Sequence, residues 1–121
     1  MFNFEKLDVW RKSVDFAHLV YRLTQDFPTE ERFGITNQMR RASVSISSNI
    51  AEGSSRSSRV EYSRFVELAA GSLFEVVSQA HIALRQAYLN DESFRLLHSS
   101  AEELSRMLSG LKSYLGKASN G

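Results

Sequence analysis

Along most of this chain, apolar residues recur at alternating steps of three and four. Only one proline, Pro28, interrupts the pattern. That spacing marks one face of a helix, and sustained over several turns it marks a packed helical seam. Four such runs follow one another. The first helix is predicted over residues 7–26, with a seam of Leu7, Trp10, Val14, Ala17, Tyr21 and Thr24. Pro28 ends it, because proline disfavours helical geometry in the residue before it. The second helix is predicted over 36–53, with Thr36 as its N-cap and a seam of Ile35, Met39, Ala42, Ile46, Asn49 and Gly53. The third covers 58–89, capped by Ser58 with Glu61 in a capping-box spacing, on a seam from Tyr62 to Ala87. The fourth covers 92–115, capped by Asp91, with a seam from Phe94 to Leu115 and a tail expected to fray from Gly116.

Short connections force neighbouring helices to run antiparallel. The expected fold is therefore all-α, an antiparallel up-down-up-down four-helix bundle, and 121 residues suit a single domain over 1–121. In this arrangement Trp10 faces Gly53, where a missing side chain leaves room for the indole. Two helices carry a further apolar stripe. Phe16, Val20 and Leu23 lie on the first, and Phe74, Val77 and Tyr88 on the third. Surplus stripes on a small bundle indicate a wide internal face or a subunit interface, so these six are the candidate oligomer contacts.

The second helix carries polar residues where a core belongs. Asn49 on a seam acts as a register device, since a buried amide accepts only the alignment that gives it a partner; the alternative is a ligand contact. Gln38, Arg41 and Glu52 share that polar face, with Glu52 a candidate acceptor for Trp10. Arg40, Arg56, Arg59 and Arg64 form a basic cluster with serines around it. It suits phosphate, because hydroxyls and guanidiniums are the usual phosphate donors. Equally, it suits a solvated bundle end, since net charge is only +1.

Chemistry of other kinds is excluded residue by residue. Without cysteine there is no disulfide, thiol nucleophile or zinc-thiolate site. A di-metal bundle needs paired Glu-x-x-His motifs, and only Asp15 with His18 has that spacing. His81 and His98 lack a carboxylate three residues before them. Ser109 and Lys112 match a Ser-x-x-Lys spacing without its companion motifs. No catalytic, metal or cofactor residues are therefore assigned, and a non-enzymatic role is expected. No apolar run approaches a membrane span, and the N-terminus lacks a signal pattern, so neither a membrane span nor a secretory signal is expected, and the absence of cysteine fits a reducing cytoplasm.

Several blocks together carry a resemblance. Leu7-Asp8-Val9-Trp10, Phe27-Pro28 with Glu31 and Phe33-Gly34, Gln38-Met39-Arg40-Arg41-Ala42, Ser45-Ile46, Asn49-Ile50-Ala51-Glu52-Gly53, and Gly71-Ser72-Leu73 with Glu75 resemble the bacterial four helix bundle proteins first named for intervening sequences in large-subunit ribosomal RNA genes. The resemblance covers about residues 4–90. It implies a cytoplasmic bacterial protein, an antiparallel bundle and a ring-like homopentamer, with an association with ribosomal RNA and no known activity. The expected function is a self-associating interaction or scaffold module, with RNA or a ribonucleoprotein as its partner. Direct nucleic-acid binding through the Arg40–Arg64 cluster is the alternative.

Overall fold

The computed structural model describes residues 1–119, and all of its regular structure is helical. The helices are α1 (Asp8–Leu23), α2 (Ile35–Ser54), α3 (Arg59–Arg85) and α4 (Asp91–Ser119), with short 3-10 turns at Asn3–Lys6 and Thr29–Glu31. Each helix packs on its neighbour in the chain and α1 closes against α4, while among the described residues the backbones of the diagonal pairs stay apart. This is a four-helix bundle of up-down-up-down order. Among the described residues, no helix is long and apolar enough to cross a membrane.

α1 presents a different face to the core from the one its seam predicts. Val9, Ser13, Phe16, Val20 and Thr24 are buried, while Val14 and Tyr21 are 40% and 42% exposed. Of the predicted seam Thr24 keeps its core place, and Ser13 takes one that the seam did not include. Ser13 Oγ donates to Trp10 O at 2.6 Å and Thr24 Oγ1 to Val20 O at 2.8 Å. A hydroxyl satisfied by its own helix can enter a core without leaving an unpaired polar group. Phe16 and Val20, expected at a subunit interface, are consequently 1% and 0% exposed in the core of the single chain.

α2 is likewise turned by part of a step. Ile50 is buried, and Asn49 lies beside the seam rather than on it. Its amide donates to Ser45 O at 2.8 Å and Ser45 Oγ at 3.0 Å, and Ser72 Oγ of α3 donates to the same hydroxyl at 3.1 Å. Asn49 thus reaches α3 through a serine pair. Glu52 is exposed and takes no part.

Trp10 and Gly53 do not face each other. Trp10 packs edge-on to Phe4 with ring centroids 5.0 Å apart. Gly53 is buried against α3, where an added Cβ would lie 2.7 Å from Phe65 Cβ and 3.0 Å from Tyr62 Cδ1. The glycine therefore serves the approach of α2 to α3.

α3 and α4 bury the positions their seams predict, from Val66 to Ala83 and from Leu97 to Leu115, except that Leu111 is only half-buried. Ser58 caps α3, accepting from Glu61 N at 3.1 Å. The cap of α4 is Asn90, whose Oδ1 accepts from Ser93 N at 2.7 Å, and Asp91 is the first helical residue instead. Thr36 is not the cap of α2. Gly34 holds that position, Glu31 Oε1 accepts from Ile35 N at 3.4 Å, and Thr36 lies within the first turn. α4 continues through Gly116 to Ser119, where fraying was expected; residues 120–121 lie outside the described residues.

α3 stops at Arg85, short of the predicted 89, in a Schellman turn. Tyr88 N donates to Ala83 O at 2.9 Å and Ala87 N to Leu84 O at 3.0 Å. Ala87, expected on the seam, is exposed with φ of 63°. The turn is locked to the α1–α2 connection. Tyr88 Oη donates to Glu31 Oε2 at 3.1 Å, which raises the phenol pKa above its usual value, and its ring lies 5.6 Å from that of Phe27.

These backbone constraints set the expected stability of three variants. Gly53→Ala is expected to lower stability by about 1–3 kcal/mol, the usual cost of overpacking, because Phe65 Cβ is fixed to its backbone and cannot swing aside. Gly71→Ala, where a Cβ meets nothing within 4 Å inside the single chain, is expected to raise the stability of the dissociated chain by about 0.5–1 kcal/mol through helix propensity alone. Thermal melts of both variants check the contrast. Ala87→Gly is expected to raise stability by about 1 kcal/mol by relieving the left-handed alanine, measured as a higher urea midpoint at unchanged slope.

Candidate nucleic-acid interface

The two ends of the bundle are built differently. One end joins α1 to α2 and α3 to α4, and is held by Tyr88, Glu31 and Phe27. Arg40 belongs to this half. Its Nε donates to Thr24 Oγ1 at 2.9 Å, its Nη2 to Tyr21 O at 3.4 Å, and its guanidinium lies 4.8 Å over the Tyr21 ring. It is a clasp between α1 and α2. Sixteen helical and loop positions separate it from Arg56, roughly 24 Å at 1.5 Å per residue. The expected cluster of four arginines is therefore not one patch.

The other end gathers the α2–α3 loop, the start of α1 and the last turns of α4. Arg56 lies 4.7 Å over Phe65, and Arg59 lies 5.3 Å over Tyr114. Both arginines are exposed. Beneath them runs a groove of about 500 Å³, floored by Leu7, Tyr62, Leu111 and Leu115, with Ser57 and Ser58 on its rim. Burial raises the Tyr62 phenol above its ordinary pKa, keeping that floor uncharged. A second groove of about 290 Å³ shares Arg59 and continues past Ser63 to Arg64. Beside it, Lys112 Nζ meets Glu67 Oε1 at 2.9 Å. That hydrogen bond and charge hold the Glu67 carboxyl below its usual range, with a smaller contribution from Arg64. An apolar floor under a cationic rim accepts a flat ring bearing an anionic group.

The sequence reading finds Arg56, Arg59 and Arg64 but misses Tyr114 and Phe65. Tyr114 sits next to Leu115 on the α4 seam, one position outside the helix face that the seam defines, so its pairing with Arg59 follows only once α3 and α4 are placed together. Gln38 and Arg41 are exposed along the outer side of α2. Of the interface candidates, Leu23 and Val77 pack partly buried against the core, Tyr88 is half-buried in the opposite end, and Phe74 is 64% exposed.

A third concavity, about 510 Å³, lies between α3 and α4 and is lined by Phe74, His81, His98 and Glu102. His98 Nδ1 is 3.2 Å from Glu102 Oε1, and the two histidine rings stand 6.2 Å apart. Among the described residues, no three His, Asp or Glu side chains are placed to share a metal ion. Lys112 is engaged with Glu67, which leaves the Ser109–Lys112 spacing without the pairing a serine nucleophile needs.

No curated protein matches the chain. Among solved structures, a protein of unknown function from the S23 ribosomal protein family of Bacteroides thetaiotaomicron shares its fold, with a TM-score of 0.77 at 21% identity over 86% of this chain and 97% of that one. The family described as 23S rRNA-intervening sequence protein matches residues 5–110, and the chain belongs to that family.

Proposed function

We propose that this protein is a non-catalytic, self-associating module that acts as a scaffold in association with ribosomal RNA or a ribonucleoprotein. The observation that carries this reading is the outer face of α3. Val60, Leu68, Phe74 and Ile82 are all more than half exposed there. Gly71 stands among them, with open space where its side chain would be. A glycine inside a long helix costs about 0.5–1 kcal/mol relative to alanine. Packing within the chain gives no reason for it; the close approach of a second copy does. Large apolar residues exposed along one helix face are also how protein contacts are usually marked. Five copies is the assembly that the family resemblance favours. The role needs no cofactor and no membrane, and it suits the bacterial cytoplasm.

Light scattering at micromolar concentration tests the association. The expected mass is a multiple of the 13.7 kDa chain, and Phe74→Glu is expected to return it to a single chain with its helical content intact. Phe16→Glu is expected to unfold the protein instead, since an unpaired charge would enter the core. A wild-type mass of one chain rejects the reading.

A second reading, direct nucleic-acid binding, is favoured by the stacked and exposed Arg56 and Arg59. Displacement of counterions makes affinity fall linearly with salt on logarithmic axes. Titration of a single-stranded ribosomal RNA fragment at several salt concentrations is expected to give that fall. Binding that ignores salt, or no binding at low salt, removes this reading and leaves the scaffold role.

A further inference from the structure

We infer that the groove at the α2–α3 loop end is a docking site for single-stranded RNA, taking a base on its apolar floor beside Tyr114 and the adjoining phosphates on Arg56, Arg59 and Arg64. The inference rests on the nucleic-acid reading and gives it a place, a strand form and a division of labour.

The cationic rim is available. Neither the Arg56 nor the Arg59 guanidinium meets a carboxylate or a hydrogen-bond acceptor among the described residues, so each offers its full set of N–H donors to a ligand. Arg40, by contrast, spends its donors on α1. Stacking on Phe65 and Tyr114 orders the two flexible side chains before any ligand arrives, which reduces the entropy lost when they bind. Ser57 adds a hydroxyl at the same rim.

The floor suits a base. Tyr62, Leu7, Leu111 and Leu115 form the apolar floor of a groove of about 500 Å³, within the size range of small-molecule sites. Tyr114 is 54% exposed even with Arg59 over it, so part of the ring is open to a partner. Aromatic rings beside arginines are how unpaired bases are held without regard to sequence. A duplex keeps its bases stacked inside and cannot use this floor.

The two grooves favour a polymer over a lone anion. Arg59 borders both, and Arg64 lies five residues further along α3, about 7.5 Å along the axis at the helical rise. That spacing suits successive phosphates of an extended strand. Glu67 does not oppose them, because Lys112 already neutralises it.

The test uses the whole chain and a short fluorescent single-stranded RNA, followed by anisotropy. The double variant Arg56→Ala/Arg59→Ala is expected to bind at least tenfold more weakly at low salt, with the logarithmic salt slope reduced by about two. Tyr114→Leu is expected to weaken binding several-fold with the slope unchanged, because it removes stacking but no charge. Arg22→Ala, an exposed α1 arginine near the other end, is expected to match wild type, and duplex RNA of the same length to bind more weakly than the single strand. Circular dichroism confirms folding of each variant. RNA binding that survives the double variant overturns the site while the nucleic-acid reading stands. Undiminished binding by Tyr114→Leu, or a preference for duplex, overturns the stacking arrangement. Absence of RNA binding by wild type at low salt overturns both the site and the reading.

Discussion

The contact on which most of this structure depends is the closing of α2 onto α3 at Gly53. A Cβ there would stand 2.7 Å from Phe65 Cβ, so the two backbones approach to a distance that only glycine permits. This approach sets where Phe65 and Tyr62 emerge. Phe65 then lies beneath Arg56, and Tyr62 becomes part of the groove floor. The Ser45–Ser72 hydrogen bond repeats the α2–α3 alignment further along the pair. The open end of the bundle is thus built outward from one missing methyl group.

The seams of α3 and α4 are legible in the sequence because their core faces are almost wholly aliphatic. α1 is not, because Ser13 interrupts its core face. Its hydroxyl closes onto the Trp10 carbonyl, so the position counts as apolar for packing while remaining polar to the eye. The seam counted through Trp10, Val14 and Tyr21 therefore has better residues and the wrong orientation. Asn49 misleads in the opposite sense. Its neighbour Ile50 takes the core position, and the amide is served by Ser45.

The Trp10–Gly53 pairing and the four-arginine cluster fail for a shared reason. Helical periodicity tells which residues share a face, but not which neighbouring helix that face meets. Gly53 is a contact residue, as its place in the pattern suggests, yet it meets α3. Arg40 and Arg56 lie on one helix-loop segment, yet the length of α2 separates them. Arg59 and Tyr114 are far apart in sequence and adjacent in space, because α3 and α4 run antiparallel with the start of one beside the end of the other.

A near-neutral chain can still present a cationic site, because charge acts locally. The Debye length is about 8–10 Å at ordinary salt, shorter than α2, whose 20 residues span about 30 Å. Charges at the clasped end are therefore screened from a ligand at the open end. What counts is the pairing within that end. Lys112 holds Glu67, and Arg40 is committed elsewhere, while Arg56 and Arg59 rest on aromatic rings that carry no net charge. A ring orients a guanidinium without neutralising it. The open end thus keeps its positive charge ordered and unspent, whereas the net charge of +1 averages over side chains that a bound strand never meets.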